Sequence, residues 1–217
     1  MKKACTSLLV LLLLAPVTRA GEGFSLSLGL GGGVWHLPED SLNDSLRQVG
    51  RSDGNLLTGT LSSGLAVRLS FAYNILGWAT IEAGFTGHGW NLGGADIGGS
   101  GHVAAVAHFH PLQLWWPERR WDATVFLGGG YTMLGGGHRD DNINRGLEGG
   151  LLECGLTGRF FIEDWLSVGV DLRFGIPFFE TWIVDWGDIE FSLSSSPPAL
   201  FTQILAVTTF HFLPASE

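Results

Sequence analysis

Residues 166–176 read Leu-Ser-Val-Gly-Val-Asp-Leu-Arg-Phe-Gly-Ile, and every second one is a large apolar residue. Successive side chains of a β-strand point to opposite faces. Leu166, Val168, Val170, Leu172, Phe174 and Ile176 therefore share one face, and Ser167, Gly169, Asp171, Arg173 and Gly175 share the other. A helix would scatter both sets around its circumference, whereas a strand separates them. One face is fit for an apolar solvent and the other for a polar interior.

The same period recurs along the chain. Phe24, Leu26, Leu28 and Leu30 alternate with Ser25, Ser27, Gly29 and Gly31, and Leu65 to Tyr73 alternate with Ala66 to Asn74. Residues 77–90 set Ile81, Ala83 and Phe85 against Thr80, Glu82 and His88. Residues 101–111 set Val103, Ala105, Ala107 and Phe109 against His102, His108 and His110. Residues 121–134 oppose Val125, Leu127, Tyr131 and Met133 to Asp122, Thr124 and Thr132. Residues 147–162 oppose Leu152, Cys154 and Leu156 to Glu153, Thr157 and Arg159, and residues 200–212 oppose Ile204, Phe210 and Phe212 to Gln203, Thr209 and His211. With residues 166–176, these make eight segments.

The connectors between them, roughly 36–61, 74–77, 91–100, 112–120, 135–146, 163–164 and 178–199, alternate long and short almost throughout. A soluble sandwich has no reason for that alternation. A transmembrane barrel does, because its periplasmic turns are short and its external loops long. No stretch after residue 20 approaches the run of about 18 apolar residues that a spanning helix needs. Strand-end aromatics agree: Tyr73, Trp78, Trp115, Trp116, Trp121 and Trp165 fall at the short-turn ends, and Trp35 and Trp90 at the opposite ends, as two interfacial girdles would. Hydrocarbon tolerates no open sheet edge, so the segments must close. The expected fold is an all-β, eight-stranded antiparallel up-and-down transmembrane barrel. Ten strands result if Ile189, Phe191 and Leu193 pair with residues near Leu56–Thr60.

Composition fits. The chain has 217 residues, 33 of them glycine, with 45% hydrophobic and only 15% charged residues. Residues 1–20 read as a cleaved signal peptide, with Lys2 and Lys3, an apolar run from Leu8 to Leu14 and a small-residue site at Thr18-Arg19-Ala20, which leaves one domain over 21–217. Losing Lys2, Lys3 and Arg19 takes the 12 basic residues to 9 against 21 acidic ones. Such an acidic chain offers no basic stripe to a nucleic acid. Only Cys154 then remains, so no internal disulfide forms.

On these features the sequence resembles the small bacterial outer-membrane β-barrels of the OmpA/OmpX/OmpW type. The resemblance covers nearly all of the chain after the signal peptide and includes a final strand ending Phe210-His211-Phe212. It implies an outer-membrane location, outer-membrane lipid and lipopolysaccharide as surroundings, and the barrel-assembly machinery as a partner during insertion. It also implies a non-enzymatic structural or docking role, with no cofactor, metal or catalytic residue. Loops 36–61 and 178–199 are the surfaces offered to other envelope proteins. Trp182 and Trp186 in the second read as an exposed contact or as a lid over the barrel mouth. Alternatives are a narrow solute channel, a component of a motility or secretion complex, and a lipid A-modifying enzyme.

The interior of an eight-stranded barrel is just wide enough for side chains to fill. Arg68, Arg159 and Arg173, with Glu82, Asp122, Glu153 and Asp171, face inward and are expected to pair there, since isolated buried charge is costly. His88, His102, His108 and His110 face the same way, as hydrogen-bonded lumen groups or, on weaker spacing, as metal ligands. Ser100 and His102 are the nearest approach to a nucleophile and base. Asp140-Asp141-Asn142-Ile143-Asn144-Arg145-Gly146 only half matches a calcium loop.

Overall fold

A strand with one greasy face and one polar face is stable in a bilayer only as part of a closed wall. The computed structural model forms such a wall; it describes residues 23–36, 64–91, 96–116, 119–138, 144–184, 189–193, 196 and 199–212. The strands are β1 (Gly23–His36), β2 (Gly64–Asn74), β3 (Ala79–Asn91), β4 (Asp96–Phe109), β5 (Trp121–His138), β6 (Asn144–Glu163), β7 (Leu166–Val184), β8 (Ile189–Ser192) and β9 (Leu200–Phe212). A one-turn helix, α1 (Pro111–Trp115), follows β4. From β1 to β7 each strand pairs antiparallel with the next, and β9 pairs with both β7 and β1, which closes an eight-stranded up-and-down barrel. The ninth strand, β8, is a four-residue extension on the upper end of β7.

Both ends of the barrel chain lie together, with Phe24 opposite Phe212. The short turns share that end. In the β2–β3 turn Gly77 takes a positive φ of 71°, and its N–H donates to Asn74 Oδ1 at 2.8 Å. Outside, the wall is apolar: Phe24, Leu30, Leu65, Phe71, Val103, Leu127 and Ile204 are each more than half exposed. A soluble protein could not carry that many large exposed apolar side chains over its whole girth. The outside is built for acyl chains.

The strands run further than the alternation alone suggests. Residues 96–100, 135–138, 144–146 and 178–184 belong to β4, β5, β6 and β7 rather than to connectors. At 18, 20 and 19 residues, β5, β6 and β7 span roughly 45–50 Å along a tilted barrel axis, about twice the ~25 Å apolar band. That side of the wall stands well above the bilayer. The ten-strand alternative does not hold for residues 189–192, which pair with Val184–Thr181 of β7; Leu56–Thr60 lie outside the described residues.

Two irregularities shape the tall side. The β6–β7 register slips between Glu148 and Gly149, where Glu180 is the extra residue on β7. One extra residue reverses which side chains face inward. Between Ile176 and Glu180, just before it, β7 has no strand neighbour on its other side among the described residues: pairing with β9 stops at Gly175, and pairing with β8 starts at Thr181. Pro177, which lacks an N–H, falls in this gap, where a proline is tolerated. The Phe179 N–H donates to Ser196 Oγ and the Leu193 N–H to the Glu180 carbonyl, each at 2.8 Å.

Candidate functional site

The bore contains three tiers. Nearest the short turns, Thr80 (β3), His110 (after β4) and Asp122 (β5) form a chain: Thr80 Oγ1 lies 2.9 Å from His110 Nε2, and His110 Nδ1 lies 2.6 Å from Asp122 Oδ2. A carboxylate only accepts, so Nδ1 carries the proton and the Thr80 hydroxyl donates to Nε2. Gln113 Nε2 also donates to Asp122 Oδ2, at 3.1 Å. The order of groups is that of a nucleophilic triad. Access differs, because Thr80, His110 and Asp122 are all buried, and a secondary hydroxyl without an open face serves better as a brace. Ser27–Thr209 and Ser167–His211, both at 2.9 Å, tie β1, β7 and β9 at the same end.

The middle tier is ionic. Arg173 on β7 donates from Nη1 to Glu153 Oε1 at 2.9 Å, and from Nη2 to Glu82 Oε1 at 3.0 Å and Asp171 Oδ2 at 2.8 Å. Its guanidinium rests 4.5 Å above the Phe126 ring. Arg68 on β2 donates to the same Glu82 oxygen at 2.7 Å and to Thr86 at 2.8 Å, and lies 4.0 Å from Glu153. His108 Nε2 sits 3.6 Å from Glu82 Oε2. All of these charged side chains are at most 2% exposed. Gly84 makes room, since a Cβ there would lie 2.6 Å from Arg68 Nη2. Arg173 thus joins the β6–β7 wall to β3 on the far side of the bore. Two cations face three carboxylates, so removing either arginine strands negative charge in a dry interior.

Of the seven inward charges, the structure gathers five here: Arg68, Glu82, Glu153, Asp171 and Arg173. It sends Asp122 to the lower tier. Arg159 is the register partner of Asp122 but forms no ion pair among the described residues. Ser100 and His102 point into the bore without bonding each other: among the described residues, Ser100 Oγ and both His102 nitrogens have no hydrogen-bond partner. Among the described residues there is no group of three His, Cys, Asp or Glu arranged to hold a metal. Asp140 to Ile143 lie outside the described residues, and Asn144–Gly146 belong to β6.

The top tier is apolar, and the sequence reading missed it. Leu134, Leu147 and Trp182 are successive register partners on β5, β6 and β7. With Phe179, Phe201 and Trp35 they are each about 1% exposed or less. Trp35 and Phe201 rings approach to 4.9 Å, and His102 stacks beneath Phe201 at 5.1 Å. One expectation is corrected here. Trp35 is no girdle residue: it shares the parity of Ser25, Ser27 and Gly33, the inward set of β1. Of the two readings of Trp182, exposed contact or lid, its burial fits the lid, because the bulge at Glu180 turns it inward. Counting parity from Ser25 would have placed Trp35; nothing local announces the bulge.

The remaining girdle residues divide simply. Tyr73, Trp78, Trp115, Trp116 and Trp165 are exposed at the short-turn end, and Trp121 is half-buried there. Trp90 lies in β3 opposite Gly98, its side chain outside the described residues. The signal-peptide segment 1–20 and Trp186 lie outside them as well.

No protein-family model and no curated protein matches the sequence. Solved structures do resemble the fold. Neisserial surface protein A superposes with a TM-score of 0.58 at 10% identity, covering 89% of this chain and 100% of that one. The outer membrane protein OprG from Pseudomonas aeruginosa gives 0.56 at 10% identity, over 91% and 100%. A major outer membrane protein from Thermus thermophilus gives 0.54 at 14% identity, over 88% and 99%. At such identities the likeness is one of fold alone. The chain has the fold of the small eight-stranded β-barrels of bacterial outer membranes, and its apolar wall places it in that membrane.

Proposed function

We propose that this protein is a plugged outer-membrane barrel, a non-enzymatic anchor that acts through the raised part of its wall. The observation that carries the reading is the filled bore. Arg173 and its carboxylates bridge the middle, and Trp35, Phe179, Trp182 and Phe201 close the loop end above them. A solute path would have to break both tiers, one costly because it strands charge and the other because it wets aromatic surface. What remains free for work is the side where β5–β7 outreach the bilayer and β8 presents Glu190 and Ser192 to solvent. A short exposed edge strand is a natural docking element for another envelope protein.

Two measurements test this. Purified protein in planar bilayers should be silent; steady single-channel conductance in the unmodified protein would replace the anchor with the channel reading. A photo-crosslinker at Glu190 should capture one defined envelope protein in intact cells, with capture lost when residues 189–192 are deleted. Crosslinks to lipid alone would remove the docking role.

A further inference from the structure

The chain is acidic overall, yet two arginines stand side by side at the short-turn end, Arg119 and Arg120. Their surroundings are aromatic. Arg119 is exposed, and its guanidinium carbon lies 4.9 Å from the Trp116 ring centroid and 5.3 Å from that of Trp121. Trp115 and Trp116 are themselves 66% and 49% exposed, which places the group among interfacial rings. Among the described residues Arg119 has no carboxylate partner. A cation held this way in a net-negative protein is out of keeping with the middle tier, where every arginine meets an acid.

The geometry leaves its donors usable. Cation–π contact engages the face of a guanidinium, while its N–H groups lie in the plane and point out from the edge. A planar fork of that kind matches two oxygens of a phosphate. The segment is also pinned. The Phe161 N–H donates to the Arg120 carbonyl at 2.6 Å, and Arg120 Nη1 donates to the Ile162 carbonyl at 3.2 Å. Ordering entropy for these arginines is thus largely spent in folding rather than on binding.

We propose that Arg119 and Arg120, framed by Trp116 and Trp121, bind the phosphate of an anionic phospholipid headgroup in the leaflet at the short-turn end. The indoles sit at headgroup depth and fix the height of the arginines. Phosphate oxygens then meet the N–H fork, and the net charge of the lipid decides its preference over a zwitterionic one.

Native mass spectrometry of the purified barrel in detergent, titrated with phosphatidylglycerol, phosphatidylcholine or lipid A, tests the site. Phosphatidylglycerol should bind in preference to phosphatidylcholine, and Arg119→Ala should cut that preference roughly fivefold, the effect of one arginine at a membrane surface. Arg119→Ala with Arg120→Ala should abolish it. Arg119→Lys keeps the charge but not the fork or the stacked face, and should fall between wild type and Arg119→Ala. Heat-dependent gel migration reports whether each variant is folded. Equal binding of the two phospholipids, or a preference unchanged in the folded double variant, overturns the site. So does lipid A outcompeting phosphatidylglycerol at these arginines, since lipid A occupies the other leaflet.

Discussion

The middle and the top of the bore are both solid, but they are solid for opposite reasons. In the middle, Arg173 and Arg68 fill the space with charge that is satisfied only collectively. At the top, Trp35, Phe179, Trp182, Phe201, Leu134 and Leu147 fill it with shape. An ionic tier fails abruptly when one partner goes, because the survivors keep their desolvation cost. An apolar tier fails in proportion to the volume removed. A barrel that uses both has two unlike barriers in series.

The largest expected effect is Arg173→Ala, which leaves Glu82, Glu153 and Asp171 facing one another with Arg68 alone to balance them. Unfolding in urea from phospholipid vesicles, followed by tryptophan fluorescence, should show a loss of about 3–5 kcal/mol. Next comes Trp35→Ala, which removes a buried ring from the top tier and should cost about 3 kcal/mol. Bilayer recordings sharpen the comparison. Either variant alone should remain silent, and the pair combined should conduct. Conductance from Trp35→Ala alone would mean that the ionic tier is no barrier. Smaller again is Gly175→Ala on β7, where an added Cβ would overlap the Phe201 ring. Overpacking of this kind costs roughly 1–3 kcal/mol, and a neutral result would show that the top tier is loose.

The two tiers also differ in how plainly they were written in the chain. Arg68, Glu82, Glu153, Asp171 and Arg173 lie within uninterrupted alternation, so their facing follows from counting by twos, and burial cost then demands that they pair. Which arginine meets which carboxylate depends on strand register and on contacts across the bore, and that is why Asp122 goes instead to His110 and Gln113. The top tier resists reading because its residues sit where alternation is broken. The extra residue Glu180 reverses the parity of Trp182, and the Ser-Pro-rich stretch between β8 and β9 hides the fact that both lie against β7. Trp35 misled for another reason. A tryptophan at a strand end invites an interfacial reading, although the serines and glycines preceding it already set its facing. Closure, strand count and the short-turn end were legible because lipid imposes them on every segment at once.

The smallest expected effect concerns the outside of the same wall. Gly87 and Gly101 are register partners on β3 and β4, as are Gly89 and Gly99. The Phe85 ring lies 3.7 Å from where a Cβ would sit on Gly87 and 3.5 Å from one on Gly101, an aromatic side chain covering bare backbone. Gly89 has no such cover, and a Cβ there would meet nothing within 4 Å. Steric demand explains Gly175 and Gly84 but cannot explain Gly89. On backbone entropy alone, Gly89→Ala should raise stability by about 0.5–1 kcal/mol, read as a small upward shift of the urea midpoint at unchanged slope. A loss of stability instead would mean that the bare backbone at Gly89 is in use by a close neighbour, and the outer wall on this side would then be a contact face rather than a surface for lipid.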